Sequence, residues 1–233
     1  RGAVYFVNLV PRGKELWAAF SQEGDGQWIQ PRVLKFDGAG WSPVGRTQIS
    51  SQSASYLNLI SFQGVPYLAY KDEALKGHIS VKSFDGKEWR SERAEGVSDG
   101  EADFVTLAED GNALYAAYVD VKRDNRVSVL RYERGKWGFL GKPGFSPGQA
   151  NEMAIKARNG AVYVAFIDQA RQCKVSVMTY VDGEWAYLGE PGFSGSYGKY
   201  LAMELGEGKL YVGYSDFLEN GRLTVKSYDL EKQ

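Results

Sequence analysis

One cysteine (Cys173) and one histidine (His78) occur in 233 residues. A lone cysteine excludes an intramolecular disulfide and leaves no cysteine cluster for zinc. A lone histidine offers neither the partners of a catalytic triad nor those of an imidazole metal site. Charge of either sign is not in excess, with 28 Lys and Arg against 29 Asp and Glu, so no net field draws nucleic acid or anionic lipid. The longest apolar runs, such as residues 3–7, are far too short to cross a bilayer, and no stretch holds a useful 3.6-residue period. The chain opens on Arg1-Gly2 without Met, as after removal of a leader or upstream region. Glycine is abundant instead, 28 of 233 or about 12% against a usual ~7%. Aromatics make up 14%. That pairing belongs to a β protein with many tight turns and large half-buried side chains.

The remaining signal is periodic. Trp41, Trp89, Trp137 and Trp185 stand 48 residues apart, read directly from their numbers. Tyr67, Tyr115, Tyr163 and Tyr211 keep that interval, with Trp17 fifty residues ahead of the first. So do Asp72, Asp120, Asp168 and Asp216, and Ser50, Ser98, Ser146 and Ser194. Within a unit, short β-type runs are punctuated by turn pairs such as Asn159-Gly160 and Asp182-Gly183, giving four strands per repeat. A four-stranded antiparallel meander of this length is the sequence form of a β-propeller blade, which buries its faces only by stacking on others. The expected fold is all-β, a five-bladed β-propeller in one domain, with blades at 1–53, 54–101, 102–149, 150–197 and 198–233. A fifth tryptophan is due at position 233, which is Gln233, so the last blade is expected to lack its outer strand.

The unit resembles the short-repeat propellers of bacterial secreted and cell-surface proteins, over essentially the whole chain. The turns Asp85-Gly86-Lys87-Glu88-Trp89 and Asp182-Gly183-Glu184-Trp185 are similar to the Asp-box of sialidase-type propellers, though shorter, and the third unit has Tyr132-Glu133-Arg134-Gly135 instead. The resemblance implies a secreted or cell-surface protein.

In a meander the Asp and Ser series fall on one rim, where ligand loops usually lie. Six residues after each Asp stands His78, Arg126, Lys174 or Arg222, facing it across a short loop. In the first unit Gln22 and Gln30 replace acid and base together, so we expect the pairs to close hairpins rather than bind ligand. That leaves His78 and Cys173 without a catalytic assignment.

The positions that break the repeat lie on the innermost strands. They read Phe6, Tyr56, Phe104, Glu152 and Tyr200, preceded by Tyr5, Ser55, Asp103, Asn151 and Lys199. On simple alternation Asn8, Asn58, Thr106, Ala154 and Ala202 share the aromatic face. Aromatics, one acid and a few amides at a channel mouth suit a neutral polar ligand such as a sugar. The competing expectation is that the rings plug the channel while Glu152 pairs with Lys199 or Lys156. The reading is a non-enzymatic extracellular binding module taking a glycan or a protein surface through Tyr56, Phe104, Glu152, Tyr200 and Asn58. It involves no cofactor, metal, nucleic acid or membrane insertion, in a monomer or part of a larger protein. The alternative is a glycoside hydrolase of the five-bladed kind, with Glu152 and Asp103 as its carboxylates.

Overall fold

The structure is a computed structural model that describes residues 2–24, 28–46 and 48–230. Position 233 lies outside them. Among the described residues, nineteen strands run in chain order. The first four are β1 Val4–Arg12, β2 Glu15–Glu23, β3 Ile29–Phe36 and β4 Trp41–Pro43. The next are β5 Ala54–Phe62, β6 Val65–Asp72, β7 His78–Phe84 and β8 Trp89–Ser91. Then come β9 Ala102–Glu109, β10 Leu114–Asp120, β11 Arg126–Glu133 and β12 Lys136–Phe139. They are followed by β13 Ala150–Arg158, β14 Ala161–Asp168, β15 Lys174–Val181 and β16 Glu184–Tyr187. The last are β17 Gly198–Leu205, β18 Lys209–Asp216 and β19 Arg222–Asp229. Each consecutive set of four forms one sheet in sequence order, and β17-β18-β19 forms a sheet of three. The five blades and the short fifth are as expected. Among the described residues, no helix is long and apolar enough to cross a membrane.

The second strand of each blade is the most deeply buried. Every residue of β10 is buried, which is why it reads as an apolar run from Leu114 to Val119, closed by Asp120, rather than as an alternation. The turn chemistry follows the sequence. Asn159 and Gly160 both hold positive φ, 54° and 84°, as the two-residue hairpin between β13 and β14 requires.

The chain divides into two compact units, Arg1–Leu107 and Ala108–Gln233. In the first, Trp17, Ala19 and Val33 of the first sheet bury against Leu57, Leu59 and Tyr70 of the second. In the second unit, Val175 and Val177 of the fourth sheet bury against Met203, Val212 and Tyr214 of the fifth. Two tryptophans of the series, Trp89 and Trp185, fasten blade to blade. Trp89 Nε1 donates to the Val44 carbonyl (3.1 Å) and Trp185 Nε1 to the Leu140 carbonyl (2.9 Å). Trp185 also stacks on Phe145, with centroids 4.0 Å apart and planes 6° from parallel.

Candidate functional site

All five singled-out positions on the innermost strands share one feature that alternation does not reveal. Phe6, Tyr56, Phe104, Glu152 and Tyr200 have φ of 54°, 53°, 52°, 36° and 55°. Left-handed backbone is rare for bulky residues and costs on the order of 1–2 kcal/mol apiece. The register slips by one at this point in β1, β5, β13 and β17. In β1, Tyr5 faces Ser21 and Asn8 faces Ala19, so Phe6 and Val7 together oppose one residue of β2. Each is a β-bulge, the device by which a sheet re-aims one side chain.

In the first unit the bulged residues form an aromatic ladder. The Phe6 and Tyr56 rings lie 5.1 Å apart and the Tyr56 and Phe104 rings 4.8 Å apart, each pair tilted. Beside it stands a charged cluster. Lys71 Nζ, on β6, donates to Asp103 (2.8 Å) and to Glu101 (2.6 Å). Burial pulls the Lys71 ammonium down, yet its bonds to the two carboxylates outweigh that and hold its pKa above the ordinary lysine value. Burial, and then the charge of Asp103, push the Tyr56 phenol up. On the rim of the first blade, Tyr5 donates to Glu23 (2.9 Å).

In the second unit, the Tyr200 backbone N–H donates to the Glu152 carboxylate, so the acid that interrupts the aromatic series holds the next bulge. Tyr200 is 79% exposed. Lys199 Nζ lies 5.5 Å from the centroid of the Tyr197 ring. Lys156 pairs with Glu204 (2.7 Å), not with Glu152.

The bulge also resets the faces. Because Ser21 and Ala19 lie two apart on β2, Tyr5 and Asn8 share a face despite being three apart, and simple alternation between Phe6 and Asn8 fails. Asn8 Oδ1 accepts from the Leu59 N–H (3.0 Å) and Asn58 Oδ1 from the Leu107 N–H (3.1 Å). Both amides therefore bracket the innermost strands of neighbouring blades.

The aspartate series is structural, but with other partners than the sequence indicates. Asp72 and Asp120 do face His78 and Arg126 in register. The bonds they accept nevertheless come from inside the blade. Ser80 Oγ donates to Asp72 and Ser128 Oγ to Asp120, both at 2.7 Å, and Ser176 Oγ donates to Asp168 at 2.9 Å. Asp72 and Asp168 also accept from Ala74 N and Ala170 N. These amides belong to short 3-10 turns at Glu73–Leu75 and Gln169–Arg171, and a third turn spans Val121–Arg123. Segments 73–77 and 121–125 differ in sequence but share this turn and its left-handed exit at Lys76 and Asp124. The serine series pins the crossing loops. Ser98, Ser146 and Ser194 accept from the N–H of Ile79, Val127 and Val175 at 3.0, 3.0 and 2.9 Å.

No family model and no curated protein matches the chain. Solved structures do. SapL1 lectin in complex with alpha methyl fucoside is 14% identical over 95% of this chain and 76% of its own, with a TM-score of 0.68. A protein of unknown function from Dyadobacter fermentans is 13% identical over 99% and 80%, with a TM-score of 0.66. The alpha-L-arabinanase of Penicillium chrysogenum, complexed with arabinobiose, is 14% identical over 98% and 77%, with a TM-score of 0.64. The chain is a five-bladed β-propeller. At such identities the likeness extends to the fold alone, and activity has to be argued from the site.

Proposed function

We propose that this propeller is a non-enzymatic glycan-binding module, secreted or held at a cell surface, that takes its ligand on the bulged residues of the innermost strands within each compact unit, Phe6, Tyr56 and Phe104 in the first and Glu152 and Tyr200 in the second. The observation that carries the reading is the left-handed backbone at Phe6, Tyr56, Phe104, Glu152 and Tyr200. Strain repeated at one position in every blade, and spent on presenting four aromatic rings and one acid, is characteristic of a binding site rather than of packing. Aromatic faces take the C–H faces of a pyranose, and polar partners for hydroxyls come from the Lys71–Asp103 pair in the first unit and from Glu152 in the second. The fucoside and arabinobiose held by two structures of this fold support a sugar as the ligand class.

Screening on a glycan array, followed by calorimetry on the hits, tests this. Tyr56→Ala and Tyr200→Ala are each expected to weaken binding about tenfold. Silence across the array, or wild-type affinity in both variants, overturns the reading.

The hydrolase alternative rests on Glu152 and Asp103. Glu152 accepts from the Tyr200 amide and Asp103 from Lys71, and the two carboxylates belong to different compact units. Turnover of an aryl glycoside or arabinan, lost in Glu152→Gln, would favour the hydrolase.

A further inference from the structure

The hairpin that joins β1 to β2 closes on a charged pair where its counterparts do not. Arg12 faces Glu15 in register, whereas Phe62 faces Val65 and Arg158 faces Ala161 at the same step of their hairpins. Acid and base so placed ordinarily bond to one another. Here each is drawn aside by a third group. Arg12 Nη2 donates to the Gly64 carbonyl (2.6 Å), on the hairpin of the next blade, and the guanidinium lies 4.7 Å from the centroid of the buried Trp17 ring. Glu15 accepts from Trp17 Nε1 (2.8 Å) at one oxygen and from Lys35 Nζ (3.0 Å) at the other. Those two bonds, Trp17 first, hold the Glu15 carboxyl below its ordinary pKa and keep it charged.

Between the two hairpins opens a groove of about 480 Å³, lined by Pro11, Arg12, Gly13, Glu15, Ser61 and Gly64, all of the first compact unit. Among the described residues, a Cβ on Gly13 or Gly64 would meet nothing within 4 Å beyond its chain neighbours, so neither hairpin tip is roofed. Phe6 and Arg12 stand six residues apart on β1, about 20 Å at the rise of a strand, which separates this groove from the bulged residues.

We propose that the groove is a second saccharide site and takes a vicinal diol, one hydroxyl donating to Glu15 and its neighbour accepting from Arg12. A guanidinium has five N–H donors, and the bond to Gly64 occupies one. Each Glu15 oxygen commits one of its two acceptor sites to the protein. Adjacent hydroxyls of a sugar ring meet such a donor and acceptor together, and Pro11 supplies an apolar wall. A simple anion would satisfy Arg12 but be repelled by the Glu15 charge, so a neutral polyol is the better match.

Trp17 reports on the groove, because its indole N–H is bonded to Glu15. Its resonance in nitrogen–proton correlation spectra is followed while methyl galactoside, methyl mannoside or inorganic phosphate is added to the protein. A methyl glycoside is expected to shift it saturably at millimolar concentration. The analogue deoxygenated at the middle of the three ring hydroxyls, which has no vicinal pair, is expected to bind about tenfold more weakly. Arg12→Lys and Glu15→Gln are each expected to cost wild-type affinity about tenfold, with unchanged thermal melts as the check on folding. Tyr56→Ala leaves the response intact, which distinguishes this site from the bulged one. A shift with phosphate and with neither glycoside overturns the proposal. So does the absence of a shift with any probe, a response lost in Tyr56→Ala, or one kept in both Arg12→Lys and Glu15→Gln.

Discussion

A fully buried carboxylate needs donors, and Asp120 receives its two at a single oxygen. Ser128 Oγ and Arg123 both donate to its Oδ2 at 2.7 Å. Asp120→Ala removes both bonds and strands two donors, so a loss of about 2–4 kcal/mol is expected in urea unfolding. Arg126 faces Asp120 across the hairpin, but the carboxylate oxygen goes to Ser128 and Arg123 instead. Arg126→Ala should therefore change stability by less than about 0.5 kcal/mol. Equal losses in the two variants would restore the ion-pair account. The recurrence of the aspartates was legible at 48-residue spacing, and so was their structural role. Their partners were not, because Asp72, Asp120 and Asp168 turn inward toward a serine eight residues on, and Asp72 and Asp168 also toward an amide of the following turn. Register alone carries no information about that rotation.

At the scale of the strand, the bulge explains both what alternation found and where it failed. Spacing picked out the five positions correctly as those at which the blades differ. It mis-assigned the asparagines because counting by two does not survive an inserted residue. A trace of the insertion does lie in the sequence. Ala54, Leu57 and Leu59 are buried at intervals of three and then two, and Ala102, Val105 and Leu107 repeat the pattern. An interval of three inside a β run is the mark of the bulge. No glycine advertises the left-handed residue itself, which is why its conformation was not readable. The bulge also separates stability from function in a testable way. Tyr200 packs little and holds φ of 55°, so Tyr200→Gly relieves strain at small packing cost. The variant is expected to be about 0.5–1 kcal/mol more stable than wild type in urea unfolding while losing glycan affinity. Destabilisation would mean that the ring is held by contacts rather than imposed by the bulge.

For the whole molecule, the balance of 28 basic against 29 acidic residues bears on the ligand as well as on solubility. A neutral glycan held by stacking and short polar contacts owes nothing to a long-range field. Its affinity is therefore expected to vary by less than about twofold between low and high salt in calorimetry. A steep decline with salt would point to an anionic ligand instead. The fold class was legible because a 48-residue period survives in four separate residue series, and because blades must be repeated to bury their faces. The segments between second and third strands illustrate a different freedom. Glu73–Leu75, Val121–Arg123 and Gln169–Arg171 have dissimilar sequences on one backbone path, entered from an aspartate and left through a left-handed residue. Such a segment is a cassette: its ends are specified by the scaffold and its contents are not. A lineage can thus rewrite the chemistry of this rim one blade at a time, each change confined between anchors that the rest of the fold never has to renegotiate.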